Sequence, residues 1–272
     1  LEVGVTPVFV FDGKAPDFKA SVQEERAKIR KEAEVKWRKA VEDGDLEKVR
    51  MYSQGSSKLT SSMIDEAKEL LGLMGISWIQ APSEGEAQAS YFAKQGKVWA
   101  AGSQDWDSLL FATPRLIRNL SISGRKKVPM KERYITVNPE IIDLEEVLSH
   151  LGITQDQLII LGMLVGTDYN PGGIKGVGPK GALKLVREEK TLENVLKKVK
   201  WEAESSPEKV FDFFKNPPVE DLEIKKEKYN YEALKEMLMD HDFSEERIEN
   251  TLKKLDEKKK KGQSNLGKFF GT

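Results

Sequence analysis

The sequence predicts an α/β fold with a mostly parallel, twisted sheet flanked by helices and a second, helical region. Short apolar runs rich in β-branched residues alternate with helical segments in the first half of the chain, which is typical of parallel sheets. From about Asp143 onward the pattern is helical, interrupted by a glycine-rich stretch. The chain has 272 residues, 39% of them hydrophobic, which is enough for a sizeable core.

Each predicted element follows from local spacing and from turn residues. Apolar runs closed by turns predict strands, and apolar residues at three- and four-residue spacing predict helices. Gly44 and Gly75 predict helix ends. In chain order we expect a strand at Val5–Phe11, a helix at Ser21–Gly44, a loop at Ser53–Ser57, a helix at Ser62–Met74, a strand at Ile76–Gln80, a helix at Ser83–Gln95, strands at Val98–Ala101 and Leu116–Leu120, and helices at Gln157–Val165 and Pro179–Arg187.

The composition excludes several classes of function. The absence of Cys excludes disulfides, a thiolate nucleophile and zinc fingers. The 44 basic and 45 acidic residues give a net charge of −1, so a nucleic-acid surface must be local. No apolar run has the length of a membrane span and no signal peptide opens the sequence, so we expect a cytoplasmic protein with no membrane partner. Because Leu1 is not a start methionine, we expect the natural chain to begin earlier.

Five carboxylates follow the carboxyl ends of the predicted parallel strands. Asp12 ends the first strand, Glu84 and Glu86 follow the second, and Asp105 and Asp107 follow the third. Functional groups collect at this edge of open parallel sheets, so these side chains are expected to lie together.

Each of these acidic motifs also has a purely structural interpretation. Asp12 with Gly13 is a common turn, Ser83 with Glu86 matches a helix-capping box, and Asp105-Trp106-Asp107 is compatible with a solvated loop. These interpretations do not explain why all five face one edge. Gathered carboxylates repel one another unless cations are present, and hard oxygen ligands select Mg²⁺ or Mn²⁺. Two such ions are the usual clamp for phosphodiester hydrolysis, so the sequence predicts a metal site.

Several motifs in order resemble the 5′-nuclease superfamily, specifically the archaeal flap endonucleases. The motifs that carry the resemblance are Val10-Phe11-Asp12-Gly13-Lys14, Ala81-Pro82-Ser83-Glu84-Gly85-Glu86-Ala87, Ser103-Gln104-Asp105-Trp106-Asp107, Gly166-Thr167-Asp168-Tyr169-Asn170 and Gly173-Ile174-Lys175-Gly176-Val177-Gly178-Pro179-Lys180. Each motif is common alone, but together they are highly specific.

The resemblance implies a complete metal site and a division of the chain. Asp12, Glu84, Glu86, Asp105, Asp107 and Asp168 would be the metal-site carboxylates, and Asp168 enters only through the family pattern. Two Mg²⁺ ions are implied, with Mn²⁺ as a substitute. Family members carry a first strand and one further aspartate upstream, which this sequence lacks. We expect a nuclease core over 1–142 with a helical arch over about 14–60, a helical DNA-binding region over 143–257, and a tail over 258–272.

Two basic residues in the arch match family positions that reach the scissile phosphate. Lys19 and Arg26 are seven residues apart, so they share a face of a continuous helix. Their implied role is to neutralise charge that develops on the phosphate in the transition state. The alternative is a solvated helix, because Glu24 and Glu25 precede Arg26.

The glycine-rich turn over 171–181 suggests a phosphate-binding element between two helices. Glycines such as Gly176 and Gly178 allow close backbone approach, and the following helix offers free N–H groups. The pattern resembles the helix–turn–helix by which this family grips duplex DNA, with a bound K⁺ and with Lys175 and Lys180 as phosphate partners. A plain helix–helix connection is the alternative.

The C-terminal residues resemble a sliding-clamp (PCNA) binding peptide. Gln263 is followed by an aliphatic residue three positions on, Leu266, and then by two aromatic residues, Phe269 and Phe270. An exposed Phe pair on a polar terminus is costly unless a partner covers it. The alternative is that the pair folds back onto its own core.

The sequence therefore predicts a monomeric, Mg²⁺-dependent 5′ flap endonuclease with 5′–3′ exonuclease activity, acting on branched DNA in replication and repair. A PIN-like ribonuclease would share the carboxylates but not the glycine-rich turn or the tail. A non-catalytic clamp-associated DNA-binding protein requires the carboxylates to be structural. A small-molecule phosphatase would leave the tail unexplained.

Overall fold

The computed structural model describes residues 5–17, 20–56, 59–120, 124–127 and 133–260. Within these ranges the strands are β1 (Val8–Phe11), β2 (Ser77–Gln80), β3 (Ala101–Gly102), β4 (Arg115–Arg118), β5 (Gly124–Lys127), β6 (Tyr134–Val137) and β7 (Glu140–Asp143). The helices are α1 (Ala20–Glu42), α2 (Leu46–Ser56), α3 (Ser61–Leu73), α4 (Gly85–Lys94), α5 (Asp107–Leu110), α6 (Leu144–Leu151), α7 (Gln155–Val165), α8 (Pro179–Glu189), α9 (Leu192–Leu196), α10 (Pro207–Lys215), α11 (Tyr231–Asp240) and α12 (Glu245–Lys260).

The chain folds into two compact units, each built from separate stretches of sequence. The smaller unit contains β1, β2, α3, α11 and α12. β1 and β2 pair in parallel, with Val8 opposite Ser77 and Phe11 opposite Gln80. Its apolar cluster centres on Leu234, Ile248 and Leu252, because the amphipathic helices α11 and α12 pack against each other there.

The larger unit contains the remaining strands and helices. β3 pairs in parallel with β4, and β4 pairs antiparallel with β7. β5 and β6 form a separate antiparallel hairpin. Helices α4 to α10 and strand β4 pack around a single apolar core. Leu116 and Leu158, which lie on either side of the expected boundary at residue 142, are both part of it.

The predicted α/β class is confirmed, while several element boundaries were wrong. The strand expected at Val98–Ala101 is reduced to β3, because the backbone N–H groups of Lys97 and Val98 bond to Phe92 at the end of α4. Ile76 likewise bonds back to Leu71 in the last turn of α3 and lies before β2 rather than within it. The loop expected at Ser53–Ser57 is helical through Ser56, because α2 packs along α1. Strands β5, β6 and β7 were missed.

Over the described ranges, no single helix has the length and apolar composition needed to cross a membrane. Helices α6 and α7 meet those criteria only when they are taken together, as a pair bent by 79°.

Candidate active site

Asp12 is fixed against the start of α4 by a close backbone approach. A Cβ on Gly13 would lie 2.0 Å from the carbonyl oxygen of Ala81, so only glycine fits at this position. The Gly13 N–H donates to the carbonyl of Ser83 (2.6 Å), and the Gly85 N–H donates to Asp12 Oδ1 (2.7 Å). Asp12 therefore accepts from the first turn of α4, where the helix dipole favours negative charge.

This arrangement corrects the predicted capping box. The N-cap of α4 is Glu84 rather than Ser83, and the side chain of Glu84 makes no capping hydrogen bond. Ser83 lies one residue too early, and the carboxylate of Asp12 bonds to the first turn of the helix in its place. Glu84 and Glu86 are therefore not used in helix capping, which leaves them available for the site.

Glu86 is tied to the end of β3 through Ser103. The Ser103 hydroxyl donates to Glu86 Oε1, and Ser103 Oγ accepts from the backbone N–H of Asp105 (3.0 Å). Burial is the main cause that raises the pKa of Glu86 to about 7, and the charges of Asp105, Asp107 and Asp12 raise it further. The Ser103 hydrogen bond acts in the opposite direction.

Asp168 lies on a turn after α7 that is held by buried side chains. The Thr167 hydroxyl donates to Asn170 Oδ1 (2.7 Å) and accepts from the Tyr169 N–H (3.2 Å), while the Asn170 amide donates to the carbonyl of Met163 (2.5 Å). Gly173 has a φ of +62° and passes so close to Leu164 that a Cβ would lie 2.3 Å from its carbonyl oxygen. The turn is thereby folded back onto the end of α7.

Tyr169 connects Glu84 to the core. Its side chain is 4% exposed and its ring packs against Phe213 and Phe214 of α10, with centroids 5.1 and 5.4 Å away. The Tyr169 hydroxyl is hydrogen-bonded to Glu84. Burial and the negative charge of Glu84 raise the pKa of Tyr169 well above its usual range, so the hydroxyl keeps its proton and donates a hydrogen bond to the carboxylate.

The structure brings all six predicted carboxylates into one electrostatic neighbourhood of the larger unit. The negative charges of Asp12, Asp105 and Asp107 raise the pKa of Glu86. Those of Glu84, Asp107 and Asp168 raise the pKa of Tyr169, so Asp107 is common to both sets. The cluster therefore concentrates negative charge on donors that are all oxygen atoms, which suits a hard divalent cation.

The geometry of the cluster is open. Among the described side chains, no three Asp, Glu or His residues converge closely enough to form an ion cage. Mg²⁺ is commonly held by one or two carboxylates, with water and substrate phosphates completing its shell. The residues present thus fit a cation that is shared with a phosphodiester better than a closed structural ion.

The structure locates the other predicted site residues only in part. Arg26 lies within α1, without a described side chain, and Lys19 lies outside the described residues, as do Gln263, Leu266, Phe269 and Phe270. Gly178 is the N-cap of α8, Pro179 is its first residue, and Gly176 has a φ of +83°. Lys175 and Lys180 are exposed beside this helix start. Helices α7 and α8 pack against each other across this glycine-rich connection.

Two residues of the site were not predicted from the sequence as functional. Ser103 and Tyr169 both hydrogen-bond a predicted ligand, and both stand next to or near an aspartate within a quoted motif. Their roles depend on which side chains tertiary packing brings within reach. The only local indication of these roles was that each residue is polar and lies close to an aspartate.

Family models match the parts of the chain that carry the carboxylates. The model described as XPG I-region matches residues 75–168, and the XPG N-terminal domain matches residues 1–33. Flap endonuclease 1 of Aeropyrum pernix is 49% identical over 280 residues, covering 100% of this chain and 80% of the relative. Flap endonuclease 1 of Thermococcus onnurineus is 50% identical over 274 residues, covering 100% and 80%.

Solved structures agree with these matches. Flap endonuclease-1 from Methanococcus jannaschii aligns with a TM-score of 0.66 and 40% identity over 92% of this chain and 75% of that chain. The catalytic core of Rad2 in complex with DNA substrate aligns with a TM-score of 0.61 and 24% identity over 86% and 73%, and this match speaks for the fold alone. The predicted 5′-nuclease fold is thereby confirmed. The chain belongs to the flap endonuclease 1 family.

Proposed function

We propose that this chain hydrolyses phosphodiester bonds at the base of 5′ flaps in branched DNA, in replication and repair, and that it also has 5′–3′ exonuclease activity. The observation that carries the proposal is that six carboxylates from four separate sequence motifs lie in one electrostatic neighbourhood. Relatives about half identical over the whole chain are named flap endonuclease 1, and a protein of the same fold, Rad2, binds DNA substrate.

The proposed cofactor is a pair of Mg²⁺ ions, for which Mn²⁺ can substitute. Asp12, Glu84, Glu86, Asp105, Asp107 and Asp168 would hold them. A bound divalent cation supplies positive charge toward the phosphodiester and makes hydroxide accessible at neutral pH. The side chains of this chain contribute orientation, since Ser103 fixes Glu86 and Tyr169 fixes Glu84.

Basic groups complete the proposed site. Lys19 and Arg26 would approach the scissile phosphate from the arch and neutralise the charge that develops there. Lys175, Gly176, Gly178 and Lys180 would contact duplex phosphates at the start of α8, with K⁺ bound at the turn. The exposure of Lys175 and Lys180 and the free N–H groups at the start of α8 support this role. Phosphate contacts alone give recognition of DNA shape without recognition of sequence.

The C-terminal peptide is proposed to bind the sliding clamp through Gln263, Leu266, Phe269 and Phe270, with the enzyme acting as a monomer in the cytoplasm. Deletion of residues 263–272 should abolish stimulation of cutting by the clamp and spare cutting without it. Loss of cutting in the absence of the clamp would instead favour a tail that folds back on the enzyme.

Asp107→Ala tests the catalytic proposal, because the charge of Asp107 raises the pKa of both Glu86 and Tyr169. In the complete protein it should lower flap cutting at least about a thousandfold while flap binding stays within a few-fold. Asp65→Ala, on the exposed face of α3, is the matched control and should cut normally. Full cutting by Asp107→Ala would leave the carboxylates a structural role and would refute the proposal.

A further inference from the structure

Trp106 is a large aromatic side chain in water between two carboxylates of the site. It is 52% exposed, and it lies between Asp105 and Asp107 as the N-cap residue of α5. No hydrogen bond from its side chain caps the helix. Helix formation therefore does not require a ring at this position, and about half of the residue remains available to a ligand.

The indole ring is held in place from one side by Arg118. The Arg118 guanidinium lies 4.2 Å from the ring centroid, and only 22% of its side chain is exposed. Arg118 is itself fixed, because its Nε donates to the carbonyl of Gln104 (3.1 Å) and its Nη1 lies 3.9 Å from Glu140 on the neighbouring strand β7. A ring ordered in advance loses less entropy when a ligand packs on it.

A second Trp–Arg pair on the same strand shows what is particular about Trp106. Arg115, at the amino end of β4, lies 5.1 Å from the ring of Trp99, which is 44% exposed. Trp99 precedes β3 and Trp106 follows it, so the two pairs are separated by the length of β4, about 10 Å. Of the two pairs, only the one at the carboxyl end is flanked by Asp105 and Asp107.

We propose that Trp106 stacks on a nucleobase next to the scissile phosphodiester of the DNA substrate. This inference rests on the proposed function. A phosphodiester bound near Asp105 and Asp107 has its own base within one nucleotide of Trp106, and an aromatic ring stacks on any base because every base has a π face. Arg118 keeps the ring oriented and places positive charge beside the DNA backbone. The contact selects for an unpaired base over one that remains stacked in duplex.

The experiment uses flap DNA with 2-aminopurine in place of each base that flanks the cut, because the fluorescence of 2-aminopurine is quenched on stacking. Ca²⁺ replaces Mg²⁺ during the binding measurement to keep the DNA uncut. Trp106→Ala should raise the Kd about tenfold and remove the quenching at one of the two positions. Trp106→Tyr should restore most of the affinity and of the quenching. Trp106→Leu, which keeps apolar bulk without a flat ring, should restore neither.

Trp99→Ala is the matched control and should bind and quench like the wild type. If Trp106→Ala and Trp99→Ala behave alike in an enzyme that cuts flaps, the stacking inference is overturned and the proposed function stands. If wild-type protein quenches 2-aminopurine through Trp106 yet does not cut in Mg²⁺, the proposed function fails, and only stacking of Trp106 on a base of the bound DNA remains. Thermal melting of each variant separates these outcomes from misfolding.

Discussion

Helices α1 and α4 carry similar charged residues but place them in opposite surroundings. Most described side chains of α1 are in solvent, including the apolar Ile29 and Val35, which are 60% and 63% exposed. Helix α4 is less than half as long and buries six residues, among them Phe92 at 1% exposure. The first helix is a charged arm in water, whereas the second is part of the core and carries the site.

The same carboxylate chemistry has different consequences in the two helices. Glu34 of α1 pairs with Arg38 one turn away (2.6 Å), and both side chains remain largely exposed. Glu86 of α4 is partly buried among like charges, and its pKa is raised to about 7. In solvent a carboxylate is stabilised by water and can be charged without an ion-pair partner. In a partly buried cluster the same charge lowers the stability of the fold at neutral pH. This difference marks α4 as the functional helix.

Glu86→Gln is expected to give the largest change in stability among tests of this comparison. The folded-state pKa of Glu86 lies above the usual value of 4.5. As the pH rises, Glu86 therefore loses its proton in the unfolded chain before it does so in the folded protein. The stability contribution of that proton is complete below about pH 4.5 and is lost as pH rises through about 7. At pH 8 in EDTA, Glu86→Gln should therefore raise the free energy of unfolding by about 1–3 kcal/mol.

Urea unfolding at pH 8 and pH 4 measures this effect. The gain should disappear at pH 4, where Glu86 is protonated in both states, and it should shrink when Mg²⁺ is added at pH 8. Glu66→Gln, at an exposed position of α3, is the control and should change the free energy of unfolding little at either pH. Equal stabilisation by Glu86→Gln at both pH values would show that ionisation of Glu86 is not the cause.

Tyr169→Phe should produce a smaller effect, on metal affinity. The substitution keeps the ring packed on Phe213 and Phe214 and removes only the hydroxyl that donates to Glu84. Groups that orient metal ligands typically contribute tenfold or more to affinity. The Mg²⁺ concentration for half-maximal cutting should rise about tenfold, equivalent to about 1.4 kcal/mol.

Tyr91→Phe is the matched control, since it removes a hydroxyl from the same helix that carries Glu86. Its Mg²⁺ titration should follow the wild type. An unchanged titration for Tyr169→Phe as well would mean that Glu84 is held adequately without the hydroxyl.

The carboxylate site was predictable because strand ends and acidic motifs are local features. Asp12, Glu84 and Asp105 were assigned to one edge of one sheet because parallel strands end on the same side. The single sheet was wrong, since β1 and β2 pair in one sheet and β3 and β4 in another. Asp168 could not be assigned in this way, because it follows helix α7, and only the family pattern brought it in. Its position depends on the turn that Asn170 and Gly173 fold back onto α7.

Other features depended on tertiary contacts that spacing cannot reveal. The contact of Tyr169 with Glu84 joins residues 85 positions apart in the chain, and no periodicity encodes it. The alternative interpretation of Ser83 as a helix cap was wrong because Asp12, more than seventy residues earlier, bonds to that helix start. The helix through Ser56 was missed because its packing on α1 outweighs a Gly- and Ser-rich composition.

Glu34→Gln is the last test and should have the smallest effect. Glu34 and Arg38 are four residues apart on α1, with side-chain exposures of 46% and 68%. Exposed pairs at this spacing contribute about 0.3–0.5 kcal/mol, because water and salt screen the charges and two long side chains lose freedom. Urea unfolding should therefore detect a loss of at most about 0.5 kcal/mol, and 0.5 M NaCl should reduce it further. A loss above about 1 kcal/mol would mean that α1 is not a solvated arm and that the Glu34–Arg38 pair is shielded from water.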